Sequence, residues 1–463
     1  MAFTRKSIVY VRGIKMEKRI VIIGAGVAGN NVLLFLLENK KDEKITVLKK
    51  EEIAYFSTCG IMYPLQEVHG LTLKNLVLKE AKAYVDQGVD FRTSIEVTGI
   101  NLDENSIDVG GEKLKYDALV IATGKKPFIP EISGTDLEGV CTISNEIDAE
   151  LTEKTIKDEK KKNAVVIGGG MIGLEAAIAL LNKNKKVTVI EKNSHLMPAI
   201  LDPDMSSLVK DRLEEIGVKF VTGKPATSIN GKEKVEGVTA VDEEIQADMV
   251  VVTAGVSSNV DLARNAGVDI GELGGIVTGP GLHVKRNGKY LSNVYAAGDC
   301  IEVISGVTNR SMLCQMGSAG AAEAKVVADN ILGGSSVFEP CFAPTSIPVA
   351  GLNIATVGIT SSKAAEYGIQ IIGGKATKIA RSGYFPGVKN ITLKMLFDTS
   401  GILVGAQAIS GEPVAERMNT LMYAIKNRMN AKEMLYMPRV FDASVALLVD
   451  VMINAITDAL KKM

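Results

Sequence analysis

Cys59 stands alone in the stretch AYFSTCGIMYPL, with Ala54 five positions before it and Pro64 five after, so no cysteine lies close enough in sequence to close a local disulfide. A lone thiol that does redox chemistry must cycle through a mixed disulfide or persulfide with an outside partner, or through a sulfenic acid. Around it lie two glycine-rich turns of matching design. RIVIIGAGVAGNNVLLFLL carries Gly24, Gly26 and Gly29, and NAVVIGGGMIGLEAAIALL carries Gly168, Gly170 and Gly173. In each, an apolar strand runs into the first glycine, which makes the tight turn. The second lets backbone amides approach a pyrophosphate, and the third allows close packing of helix on strand. The partial positive charge of the helix N-terminus completes an anion site. One such match is weak, whereas two in one chain point to two dinucleotides.

Where a second strand ends, an acid should meet the adenosine ribose. Glu191 closes KKVTVIEK in that position for the second site and favours NADH, since a carboxylate binds the ribose hydroxyls and repels a 2′-phosphate; the adjacent Lys192 leaves NADPH open. The first site is less regular. EKITVLKKEE puts Lys49 where the acid belongs, and either Glu51 or Glu52 reaches the ribose from a shifted turn, or other segments hold the nucleotide. Two more buried strands end in turns that could face a ligand, YDALVIATGKKPFIP at Thr123 and Gly124, and NVYAAGDCIEV at Gly298 and Asp299.

The elements that position these residues must be alternating strands and helices. At 463 residues the chain exceeds one core and suggests roughly two to four domains. Its net charge of -1 gives no basic surplus for nucleic acid or an anionic membrane. The apolar run AVVIGGGMIGLEAAIALL is long enough for a membrane span, but its three adjacent glycines and Glu175 fit a buried strand, a turn and a helix better. Five cysteines without a CxxC argue against a disulfide scaffold or a metal site and suit a reducing, cytoplasmic home. Met16 reads as a second start, with residues 1–15 as an extension. Cys141, Cys300, Cys314 and Cys341 sit in no redox motif, have no partner at motif spacing, and read as packing residues.

The order of first fingerprint, cysteine, ATG strand, GGGMIGLE fingerprint and AAGD resembles the FAD- and NAD(P)-dependent pyridine nucleotide-disulfide oxidoreductases. Within them the chain is similar to the single-cysteine branch of coenzyme A disulfide reductases, NADH oxidases and peroxidases, and polysulfide reductases. FSTCGIMY keeps that branch's Cys59, Gly60, Ile61 and Tyr63 but has Met62 for a proline, and SGYFPGVKNITLKMLFDTSGILVGAQAISGEPVAER resembles its dimerisation domain. The resemblance implies an α/β protein with two Rossmann-like domains, for FAD and NAD(P), and a C-terminal α+β domain that completes a homodimer. The implied bounds are 16–130 with 255–335 for FAD, 131–254 for NAD(P), and 336–463 for dimerisation. It implies that Gly24, Gly26, Gly29, Thr123, Gly124 and Asp299 hold FAD, and that Gly168, Gly170, Gly173 and Glu191 hold the nicotinamide nucleotide, with Glu175 near its ring.

Two functions follow as expectations: a thiol-dependent reductase of disulfides, persulfides or polysulfides, or an oxidase or peroxidase working through Cys59 sulfenic acid. A flavin-carrying redox sensor is a third. CGIMYPL is expected to begin a helix whose dipole favours thiolate at Cys59. The only histidines are His69, His195 and His283, so residues 336–463 cannot supply the histidine base that glutathione-reductase-like enzymes bring from the partner. Tyr384 matches a tyrosine that coenzyme A disulfide reductases use there. Two departures weaken coenzyme A disulfide as substrate. NNVLLFLLEN lacks the basic residues that bind coenzyme A phosphates, and YMPRVFDAS replaces a tyrosine motif, bringing Arg439 and Phe441.

Overall fold

A computed structural model describes residues 17–39 and 42–463, so the extension expected at 1–15 lies outside the described residues. Strand Arg19–Ile23 is buried from Ile20 onward and pairs in parallel with Lys44–Leu48 on one side and Ala118–Ile121 on the other. Covered on both faces, such a strand has no polar edge to alternate, which is why it reads as continuous apolar sequence. The sheet has six strands, and two of them, His283–Arg286 and Lys289–Ala296, return from far along the chain, the latter pairing in parallel with Ala118–Ile121.

Between those two visits to the first sheet the chain builds a second, five-stranded parallel sheet. Its order is Val140–Cys141, Met249–Val252, Asn163–Ile167, Lys186–Glu191, Lys219–Thr222. Each of these two sheets, the first mixed by its antiparallel edge strand His283–Arg286, has its own three-stranded antiparallel meander, over residues 97–115 and 226–246. The two halves therefore repeat one plan, as the paired fingerprints do.

The third unit is an antiparallel sheet in the order Thr345–Val349, Leu352–Gly358, Leu403–Ser410, Asn390–Asp398, Ile371–Ile379. Helices Ala415–Lys426 and Val451–Leu460 share its hydrophobic core. The second packs so closely that a Cβ on Gly374 would lie 2.0 Å from the carbonyl oxygen of Ala455. We propose on this basis the division at 130/131, 254/255 and 335/336. No helix among the described residues is long and apolar enough to cross a membrane.

The segment after Cys59 differs from expectation. It is one 3₁₀ turn, Thr58–Gly60, followed by one α turn, Met62–Leu65, and then left-handed backbone at Glu67 (φ 61°) and His69 (φ 51°) ends any continuation. A helix dipole needs a longer run of aligned peptides to be felt, so that argument for a thiolate at Cys59 falls away. Met62, in the proline's place, is buried in a core shared with Leu174 and Ala177 of the second fingerprint helix, Met171–Asn182.

Candidate active site

The two glycine turns have the same geometry. Gly24 (φ 96°) and Gly168 (φ 115°) occupy left-handed backbone, and a Cβ on either would lie 2.2 or 2.3 Å from the carbonyl oxygen of Ala122 or Thr253. Each donates its N–H, at 2.8 Å, to the end of the next strand, at Leu48 and Ile190. A Cβ on Gly29 or Gly173 would meet the carbonyl of Gly24 or Gly168 at 2.0 Å. At Gly26 and Gly170, by contrast, a Cβ would meet nothing among the described residues within 4 Å. The first and third glycines are required by the fold, and the second leaves backbone open to a ligand.

The first turn opens on a cleft of about 240 Å³, lined also by Lys49, Glu51, Cys59, Thr123, Gly124 and Asp299. Thr123 and Gly124 are strapped to Asn259, whose carbonyl accepts from Thr123 Oγ1 at 2.6 Å and whose N–H donates to Gly124 at 2.9 Å. Asp299 Oδ2 pairs with Lys125 Nζ at 2.9 Å. Of the two glutamates after Lys49, Glu51 lines the cleft. Lys49 is buried, donates to the carbonyl of Ile53 at 2.5 Å, and keeps its ammonium 3.9 Å from Glu51. Cys59 is exposed on the same wall, 3.9 Å from where a Cβ on Gly317 would sit.

Reasoning from sequence missed Glu146, which lines the cleft, and Glu323, which lies behind its wall and braces Gly298. Glu146 begins helix Glu146–Lys157 behind its Asn145 cap; its Oε1 is buried at the cleft and unpartnered among the described residues. The acid at N1 was its only signal. Glu323, on helix Gly317–Ile331, is 1% exposed and accepts from Gly298 N–H at 2.6 Å, while its Oε1 has no partner among the described residues. Burial raises its pKa to about 8. A cleft with two packed glycines, an open one and an unpartnered carboxylate oxygen fits a large dinucleotide that brings both phosphates and hydroxyl donors.

At the second turn Glu191 is buried at the expected strand end. Its Oε2 accepts from Gly169 N–H at 2.8 Å and its Oε1 from Asn193, through the backbone N–H at 2.8 Å and Nδ2 at 2.6 Å, so the acid also fixes the turn. Glu175 lies on the helix facing the Cys59 segment, where Gln66 Nε2 donates to its carbonyl at 3.0 Å; burial raises its pKa to about 7. Tyr384 is not gathered into the cleft. It is 76% exposed on the C-terminal unit, tilted against Phe385 at 5.0 Å between ring centroids. Arg439 is committed locally, donating to the carbonyl of Met434 at 2.6 Å.

All four spare cysteines are buried, as expected of packing residues, and Cys314 and Cys341 have their sulfurs 3.0 Å apart. Partnership across folded segments leaves no spacing motif to find.

The family model for pyridine nucleotide-disulphide oxidoreductases matches residues 18–321, and that for their dimerisation domain matches residues 345–440. The chain belongs to this family. It is 34% identical over 454 residues to an NADH oxidase of Methanocaldococcus jannaschii, covering 96% of this chain and 99% of that protein. It is 29% identical over 414 residues to an NAD(P)H coenzyme A polysulfide/persulfide reductase of Pyrococcus horikoshii, covering 88% of this chain and 91% of the other. Among solved structures, an NAD-dependent persulfide reductase from A. fulgidus superposes with a TM-score of 0.91 at 30% identity, over 96% of this chain and 83% of that one.

Proposed function

We propose that the chain is an NAD(P)H-dependent flavoprotein that reduces the sulfur–sulfur bond of a disulfide, persulfide or polysulfide through Cys59. The observation that carries this reading is the exposed Cys59 thiol on the wall of the first dinucleotide cleft, where no other cysteine among the described residues lines the space. FAD bound in that cleft supplies the two-electron link between reduced nicotinamide and sulfur. The open backbone at Gly26 would receive the pyrophosphate, Glu51 would lie toward the ribose, and Asp299 would hold the ribityl chain with Lys125 balancing its charge. In the second site Gly168, Gly170 and Gly173 seat the nicotinamide nucleotide. Glu191 disfavours a 2′-phosphate, so NADH is preferred, and Glu175 adjoins the ring.

The Cys59 thiolate attacks one sulfur of R–S–S–R′ to give Cys59–S–S–R, and R′–S⁻ leaves and takes a proton from water. An electron pair delivered to the new bond cleaves it, returns the Cys59 thiolate and releases R–S⁻, which also takes a proton. Overall, one NAD(P)H and one proton convert the disulfide to two thiols. A homodimer built on the C-terminal unit would carry Tyr384 to the second chain's cleft as a hydroxyl donor, a role supported by its exposure. The unpaired thiols suit a cytoplasmic setting.

The 34% likeness to an NADH oxidase favours a second reading, in which peroxide or oxygen is the acceptor and Cys59 passes through sulfenic acid. An anaerobic panel of coenzyme A disulfide, other small disulfides and polysulfide, with NADH consumption followed beside an aerobic control, separates the two. The reductase reading expects at least one sulfur compound to be reduced faster than NADH is consumed in air. Fast aerobic consumption with no anaerobic turnover on any of them would remove it.

A further inference from the structure

Cys314 and Cys341 are 27 residues apart in sequence, yet an S–H···S hydrogen bond of 3.0 Å joins their side chains. That is closer than two sulfurs in ordinary van der Waals contact. Both backbones are held in place. Strand Val303–Ile304 pairs with Ser311–Met312, which ends two residues before Cys314. Cys341 is tied to the same hairpin, donating its N–H to Ile304 at 2.7 Å and accepting from Gly306 N–H at 2.8 Å. The sulfurs therefore meet because the folded segments around them are fixed together, not because two flexible side chains have found one another.

Burial does not seal the pair off. Each cysteine is 7% exposed, and both line a largely apolar cavity of about 470 Å³ that reaches Met171 at the start of the second fingerprint helix. Gln315 and Met316 line this cavity and the first dinucleotide cleft alike. The two sulfurs are also unequal. The hydrogen bond with Cys314, helped by the N–H groups of Ala343 and Phe342, lowers the pKa of Cys341. The same bond, burial, and the carboxylates of Glu323 and Asp299 push that of Cys314 up. The thiolate is therefore favoured at Cys341 over Cys314.

We propose that Cys314 and Cys341 form an internal dithiol–disulfide couple, separate from Cys59, that is oxidised by small disulfides. Cys341 thiolate attacks R–S–S–R, forming a Cys341–S–S–R bond as the first R–S⁻ leaves and takes a proton. Cys314 then loses its proton to water and attacks Cys341 Sγ, forming the internal bond and expelling the second R–S⁻, which is protonated. The two protein thiols together lose two electrons and two protons, and the small disulfide becomes two thiols. The product staples the wall shared by the two cavities to the segment that enters the C-terminal sheet. Nothing in this step depends on the reading of Cys59.

The test uses the full-length Cys59→Ser protein with its bound cofactor, so that chemistry at the cleft cannot contribute. The protein is reduced, freed of reductant, exposed to excess oxidised glutathione at neutral pH, quenched in acid, alkylated and digested for mass spectrometry. The expected result is a cross-linked peptide joining residues 314 and 341, two hydrogens lighter than the separate peptides and reopened by dithiothreitol, with the denatured protein losing two of its thiols. In the Cys314→Ala form of the same protein the expected product is a glutathione adduct on Cys341. Recovery of both cysteines alkylated, or of both carrying separate glutathione adducts, would overturn the proposal.

Discussion

Glu323 shows how far one buried side chain can set the behaviour of the site around it. Its carboxyl braces the turn at Gly298, next to Asp299, and burial raises its pKa from 4.5 to about 8. A carboxyl whose folded pKa exceeds its unfolded value binds its proton more tightly in the native state. Its contribution to stability is therefore complete below pH 4.5 and is lost as the pH climbs through about 8. Glu323→Gln, which keeps an acceptor for Gly298 and cannot ionise, should flatten this part of the fall and unfold at a higher temperature than wild type above pH 8. Thermal melts across that window check it; parallel curves for the two proteins would show that Glu323 is not the group responsible. Its burial was not legible in GSAGAAEAKVV, where one acid among small residues reads as a solvent-facing position. Glu51 was half legible: the sequence narrowed the choice to two acids, and only the folded chain shows that Glu51 is the one that lines the cleft.

At the scale of elements, the fingerprints were the most legible part of the chain, because what they demand of glycine is local. A positive φ and a carbonyl at 2.2 Å leave no alternative at Gly24, and they leave a mark in three letters of sequence. The geometry separates folding from binding within one turn. Gly24→Ala should cost about 1–3 kcal/mol of stability through strain and overpacking. Gly26→Ala, where a Cβ would meet no atom of the described residues within 4 Å, should keep the melting temperature of the apoprotein yet lose bound flavin. Melting temperature and flavin absorbance, measured on both variants, distinguish the roles; equal destabilisation by the two would contradict them. The Cys59 segment was less legible. Its letters suggested a helix, but the chain turns through Glu67 and His69 after two short helical turns because it must pack beneath the second fingerprint helix. The Cys314 and Cys341 pair was not legible at all, since its contact is made by a hairpin and a distant segment.

Across the whole molecule, two sheet units repeat one plan and a third, antiparallel unit follows them; the paired fingerprints announced the first two, whereas the third was expected only from its resemblance to a dimerisation domain. Less visible was how much apolar surface the third unit leaves uncovered. Tyr436 is 81% exposed, Val440 98% and Leu448 75%, near the end of the segment that the dimerisation-domain model matches. A monomer gains little from such a surface, whereas a second chain would bury it. The wild type should therefore run at the mass of two chains in light scattering, and Val440→Asp combined with Leu448→Asp should weaken the dimer at least about tenfold. A wild type that stays monomeric at high concentration would contradict this.

The claim that most depends on measurement is that turnover passes electrons to the sulfur substrate through Cys59. Cys59→Ser, loaded with flavin and assayed without oxygen, tests it in a single comparison with wild type. The account predicts unchanged flavin content and unchanged reduction of the flavin by NADH, together with a fall of about 10³-fold or more in turnover on polysulfide or a small disulfide, as when a nucleophile is removed. Turnover within about twofold of wild type, with flavin content intact, would contradict it.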